Sequence, residues 1–136
     1  MIYEYETEER VIYILVVYAS RTGNVGRFIA KTGLQDVLRI ETGCEIVDEP
    51  YVLLTYTASF GNIPPEVEKF LANNWKLMVG VAGSGNKNWG DSFCNAVNLI
   101  RRKYDVEEIL KFELAGNVHD VNNFVERICD ETLRVK

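Results

Sequence analysis

Three short stretches of the chain gather hydroxyls, amides and glycines around at most one large aromatic each. The first reads Ser20-Arg21-Thr22-Gly23-Asn24-Val25. Hydroxyls at Ser20 and Thr22, a glycine at 23 and the unpaired N–H groups of a helix start make an anion cradle that needs no cationic side chain, although Arg21 stands within it. Ser, Thr and Asn at such a place also serve simply to cap a helix. The second stretch is Thr57-Ala58-Ser59-Phe60-Gly61-Asn62, and the third runs through Ser84-Gly85-Asn86, Lys87 and Asn88-Trp89-Gly90. Phe60 and Trp89 offer flat apolar area, and the neighbouring amides and hydroxyls could bond the rim of a ring held between them. Phosphate at one end and a planar ring at the other describes a mononucleotide-like cofactor, and FMN fits that description. Lys87, the one cation of its loop, would favour an anionic reduced ring. A Trp in an Asn- and Gly-rich loop equally serves to cover a sheet edge.

The elements between these stretches explain how they would meet. Ile12 to Tyr18 is an almost unbroken β-branched and aromatic run, suited to a strand buried on both faces and hence to a parallel sheet. After the first polar turn, Val25, Phe28, Ile29 and Thr32 recur at helical spacing up to Gly33. Residues 37–41 read as a short edge strand, and the segment from there to Pro50 has no helical period. Residues 51–55 form a second buried run. Pro64-Pro65-Glu66 then opens a helix whose apolar face is Val67, Phe70 and Leu71. Lys76 to Ala82 gives the next strand, and the glycine-rich loop is read as starting at Gly83. The stripe Phe93, Val97, Ile100 and Tyr104 marks a third helix. Ile109 to Ala115 is the last strand, and Asn117 with Asp120 starts a helix carrying Val121, Phe124, Val125 and Ile128.

Five strands alternating with helices predict an α/β fold, a three-layer doubly wound sandwich with a five-stranded parallel sheet of order 2-1-3-4-5. About ten residues separate strands two and three, at or below the usual length of a right-handed crossover. The helix normally found there is therefore expected to be missing. In such a sheet the ligand lies beyond the carboxyl ends of the strands, where all three polar loops converge.

Composition narrows the rest. At 136 residues, 47% hydrophobic and 26% charged, the chain is expected to form one soluble domain spanning 1–136. A net charge of −5 argues against nucleic acid and anionic membranes as partners. The acidic opening segment, residues 1–10, reads as a solvated tail or an added edge strand. Cys44, Cys94 and Cys129 are odd in number and lack CxxC spacing, which points to reduced cytoplasm without disulfide framework or zinc module. Cys94 and Cys129 fall on apolar helices and are expected in or near the core. His119 has no second metal-type ligand at suitable spacing and reads as a surface or capping residue. No catalytic constellation stands out: the first strand ends in Tyr18-Ala19-Ser20 without the acidic cluster of phospho-receiver domains or the Cys of low-molecular-weight phosphatases.

With these segments in order, the chain resembles the NrdI family, small flavodoxin-like FMN proteins that serve class Ib ribonucleotide reductases. The likeness rests on Ser20, Thr22, Asn24, Arg27 and Phe28, on Pro50-Tyr51-Val52-Leu53 with Thr55 and Thr57, on Pro64, Val67, Phe70 and Leu71, and on Phe112-Glu113-Leu114 with Gly116 and Asp120. It rests also on Gly80 to Gly90 with Phe93, and its most specific part is the Gly-Ser-Gly-Asn-x-Asn-aromatic-Gly run, Gly83 to Gly90. The resemblance implies that reduced FMN reacts with oxygen to release superoxide, which helps build the dimanganese-tyrosyl radical cofactor of the reductase small subunit. It also implies a separate reductant for the flavin and a backbone around Gly61 free to turn toward the ring. The alternative is a general flavodoxin carrying electrons to another enzyme. Two departures stand out: Val25 replaces a Thr common in this turn, leaving only a backbone N–H there, and the second loop is less glycine-rich than in many members.

Overall fold

Alternate residues of the first strand point to opposite faces, and the two faces carry separate halves of the core. In the computed structural model, which describes residues 14–129, strand β1 is Leu15–Tyr18. Leu15 and Val17 pack into one apolar cluster and Ile14 and Val16 into another. Strand β3 (Tyr51–Thr55) repeats the division, Tyr51 and Leu53 on the first side, Val52 and Leu54 on the second. Burial on both faces is what the unbroken apolar runs require. Ile12, Tyr13 and the acidic segment before them lie outside the described residues.

The remaining strands are β2 (Val37–Arg39), β4 (Met78–Gly85) and β5 (Glu107–Glu113). All pairings are parallel and the order is β2-β1-β3-β4-β5, as the sequence predicts. Helices α1 (Asn24–Thr32) and α4 (Val118–Ile128) cover one face, contributing Val25, Phe28, Ile29, Val121, Phe124 and Ile128. Helices α2 (Pro65–Asn74) and α3 (Asn95–Tyr104) cover the other through Val67, Phe70, Leu71, Val97 and Ile100. No helix among the described residues is long and apolar enough to cross a membrane.

The bounds of β4, α3 and β5 differ from expectation, and β2 stops at Arg39, two residues short of the strand read over 37–41. Trp75–Leu77 forms a 3-10 turn, so β4 starts at Met78, and it runs on through Gly83 to Gly85. Small residues hide strand character, and here they are needed: a Cβ on Gly83 would lie 2.4 Å from Val97 Cγ2, so the glycine lets α3 sit directly on the strand. Phe93, placed on the third helix by its spacing, precedes it. β5 begins two residues earlier than read and ends before Leu114, whose φ of 55° breaks the strand.

The segment between β2 and β3 holds no helix. In its place the Glu45 carboxylate accepts from the N–H groups of Glu41, Thr42 and Gly43 at 2.7, 3.1 and 2.9 Å. Buried Asn74 then ties the segment to α2, accepting from Val47 N–H at 3.0 Å and donating to the Glu45 carbonyl at 2.9 Å. Side-chain bonds thus satisfy the backbone that a helix would otherwise have satisfied itself.

Candidate functional site

The turn after β1 is built around a helix start with no side-chain cap. Gly23 takes the cap position with φ 95°, a conformation that favours glycine. Ser20 is buried, and its Oγ accepts from the Gly26 N–H at 3.1 Å, so this hydroxyl anchors the first turn of α1. Arg27 N–H bonds the Gly23 carbonyl. Among the described residues, the N–H groups of Asn24 and Val25 donate to no protein acceptor, and they are the donors that the dipole of α1 makes most attractive to an anion. Arg27 holds Asn24 Oδ1 at 2.7 Å, and Asn24 Nδ2 reaches Thr22 Oγ1 at 3.4 Å. The cradle is therefore ordered by its own side chains.

The loop after β3 folds into a tight 3-10 turn, Ser59–Gly61. Ala58 and Asn62 pair across it, with Ala58 N–H donating to the Asn62 carbonyl at 2.8 Å. Phe60 sits at its tip with φ 61° and is 95% exposed. A bulky side chain in the left-handed region costs on the order of 1–2 kcal/mol and persists only where the surroundings impose it. Tyr56, at the start of the loop, donates its phenol proton to Glu66 Oε2 at 2.7 Å. Burial first, then the Glu66 bond and charge, push the Tyr56 phenol up to about 12 against the opposing field of Arg21.

The third wall rises from the end of β4. Ser84 Oγ donates to the Leu114 carbonyl at 2.6 Å and Leu114 N–H donates to the Gly85 carbonyl at 2.9 Å, clamping the residue that follows β5 in its left-handed conformation. Asn86 Oδ1 accepts from Asn88 N–H, and Asn86 C=O from Trp89 N–H, which presents the half-exposed indole. Behind Gly85 lies buried Cys94, whose thiol burial pushes up to about 12, against the smaller opposing effects of Lys111 and a hydrogen bond to Phe112.

Between these walls lies a cleft of about 810 Å³. From the first loop Arg21, Thr22, Asn24 and Val25 line it, from the second Thr57, Ala58, Ser59, Phe60 and Gly61, and from the third Ser84, Gly85, Asn86 and Trp89. Ser20, Gly23, Asn62, Asn88 and Gly90 shape the loops without lining the cleft. Lys87 does not line it either, and Arg21 is the charged residue of the lining. Tyr56, Ser92 and Leu114 line it as well, although the sequence reading passed over them. Tyr56 follows directly on an apolar strand and carries no polar signal of its own, and Leu114 reads as strand, whereas its positive φ ends the strand and leaves it half-exposed. Ser92 had a weak signal, a hydroxyl two residues past the glycine-rich loop.

A parallel sheet of this order, with a polar-ended, aromatic-rimmed cleft over its carboxyl ends, defines a flavodoxin-like protein. Solved structures agree. A short-chain flavodoxin associated with a bacterial microcompartment superposes with a TM-score of 0.62 at 24% identity, covering 88% of this chain and 97% of that one. The flavodoxin of Streptococcus pneumonia TIGR4 gives 0.60 at 28% identity, covering 83% and 94%. The profile of the family described as NrdI flavodoxin-like matches residues 16–126. The protein NrdI of Bacillus licheniformis is 44% identical over 115 residues, 85% of this chain and 87% of that protein. That of Macrococcus caseolyticus is 44% identical over 111 residues, 82% and 85% respectively. The chain belongs to the NrdI flavodoxin-like family.

Proposed function

We propose that the cleft holds FMN and that the protein activates the dimanganese small subunit of a class Ib ribonucleotide reductase, acting in the cytoplasm with a separate reductant. The observation that carries the cofactor reading is one cleft in which an uncapped helix start faces the same space as two exposed aromatics. Its lining contains Arg21 and no carboxylate, in a chain of net charge −5, so it suits an anionic ligand. A volume of about 810 Å³ lies within the range of small-molecule sites.

The Asn24 and Val25 N–H groups would hold the phosphate, with Thr22 as hydroxyl donor and Arg21 beside it. Phe60, Trp89 and Leu114 would exclude water from the faces of the ring, and the backbone of 58–61 and 84–86 would bond its polar edge. Held by these residues, FMN would supply one-electron chemistry between the reductant and oxygen, the source of the superoxide proposed for assembly of the manganese cofactor. The protein residues contribute binding, orientation and a rim on which a partner can dock, with Phe60 at its most exposed point.

Titration of the purified protein with FMN, followed by visible absorption, is expected to show uptake at micromolar concentration or below. Riboflavin, lacking the phosphate, is expected to bind at least tenfold more weakly, and Trp89→Ala to weaken FMN binding about tenfold, in keeping with the ~1–3 kcal/mol of aromatic stacking on a base. A protein that takes up no FMN overturns the cofactor reading. Reduced protein and oxygen added to the manganese-loaded small subunit are expected to yield a tyrosyl radical by electron paramagnetic resonance. Absence of the radical, with electrons passed efficiently to another acceptor, would instead favour the general electron carrier.

A further inference from the structure

The first residue of α3 turns its amide nitrogen away from its own helix. Asn95 stands just after Cys94, which takes the cap position without a side-chain bond to the helix. Instead, Asn95 Nδ2 reaches across the fold to the Gly61 carbonyl at 2.9 Å. A carbonyl only accepts, so the group facing it is the amide nitrogen, and Asn95 Oδ1 is left to accept from Asn98 Nδ2 at 3.3 Å. The turn packs tightly here: a Cβ on Gly61 would lie 3.1 Å from Asn95 Nδ2 and 3.3 Å from Ser92 Oγ.

The bonds of the 58–62 loop divide into two kinds. Ala58 N–H to Asn62 C=O, Gly61 N–H to Ala58 C=O and Asn62 N–H to Ser59 C=O all lie within the turn and tie it to nothing outside, so a turn this short, left without an external bond, opens more often and exposes these amides. Thr57 Oγ1, accepting from Ala96 N–H at 3.4 Å, pins the loop where it begins. At the tip, the hydrogen bond to the body of the protein comes from Asn95. We infer that Asn95 is a positioning residue of the cleft: its amide, bonded to the Gly61 carbonyl, fixes the tip of the 59–61 turn against α3 and so holds Phe60 at the rim.

The ligand in this inference rests on the FMN reading above; the tether itself does not. Asn95→Asp keeps the shape of the side chain and replaces the donor with an acceptor facing the Gly61 carbonyl. A carboxylate suits the first turn of a helix, so an Asn95 acting only on helix stability would leave this variant as stable as the parent or more so. Amide hydrogen exchange of the ligand-free protein is expected to quicken about tenfold at Gly61 and Asn62 in Asn95→Asp, with an unchanged thermal midpoint. FMN is expected to bind three- to tenfold more weakly, the range of one partly buried hydrogen bond. Asn95→Ala, which removes the donor without adding charge, should move both readouts in the same direction. Exchange at these amides equal to the parent in both variants overturns the tether. Faster exchange with unchanged FMN affinity overturns the positioning role. If the parent itself takes up no FMN, the function proposal fails, and the exchange measurement still decides whether Asn95 holds the turn.

Discussion

Tyr56 shows how one side chain can belong to a site without announcing itself. Its phenol is bonded to Glu66 and lies partly under the cleft wall, which raises its ionisation from the ordinary 10 to about 12. An unfolded chain would release that proton near pH 10, while the folded one holds it. The stabilisation is therefore complete below pH 10 and is lost as pH rises toward 12. Ultraviolet titration is expected to show the same number of tyrosines ionising near pH 10 in the parent and in Tyr56→Phe, and the Phe variant should lose less stability across that window. At this scale the polar residues were legible because their types disclose their chemistry. The conformations were not. Phe60 and Leu114 owe their outward placement to positive φ values that no residue type signals, since neither is a glycine or asparagine.

Between β2 and β3 an element is replaced by a knot of side-chain bonds. The shortage of residues and the missing helical period made the absence of a helix readable, whereas the substitute depends on Asn74 meeting Glu45 and Val47 across a long stretch of chain. Burial opposes ionisation of Glu45, and the N–H groups of Glu41, Thr42 and Gly43 outweigh it, holding the carboxyl below its ordinary value. A depressed carboxyl stabilises the fold above the ordinary carboxylate range and ceases to do so as pH falls through its folded value. Glu45→Ala is expected to lower the urea midpoint at pH 7 and to flatten its decline on acidification, because the parent alone loses these bonds. A midpoint and acid profile equal to the parent would show that the knot contributes nothing. The other elements were read closely where large apolar residues set the period, and misjudged where glycines extended β4 beneath α3.

Across the molecule, the fold was readable because two apolar periods, one for strands and one for helices, agree along nearly the whole chain. The sheet divides the core, and Phe28 is the centre of the half under α1 and α4. It stacks on Phe112 at 4.0 Å and meets Phe124 edge-on at 5.5 Å. Phe28→Ala is expected to cost about 3–5 kcal/mol in denaturant unfolding. A loss under 1 kcal/mol would mean that the surrounding side chains close the space. The opposite half of the core includes Cys94, sealed behind Gly85 with its sulfur turned toward the carbonyls of Gly83 and Phe112. A thiol kept in its protonated form has no thiolate to offer a peroxide. The sulfur behind the cleft wall is thus chemically quiet, and peroxide added to the folded protein is expected to leave it unoxidised.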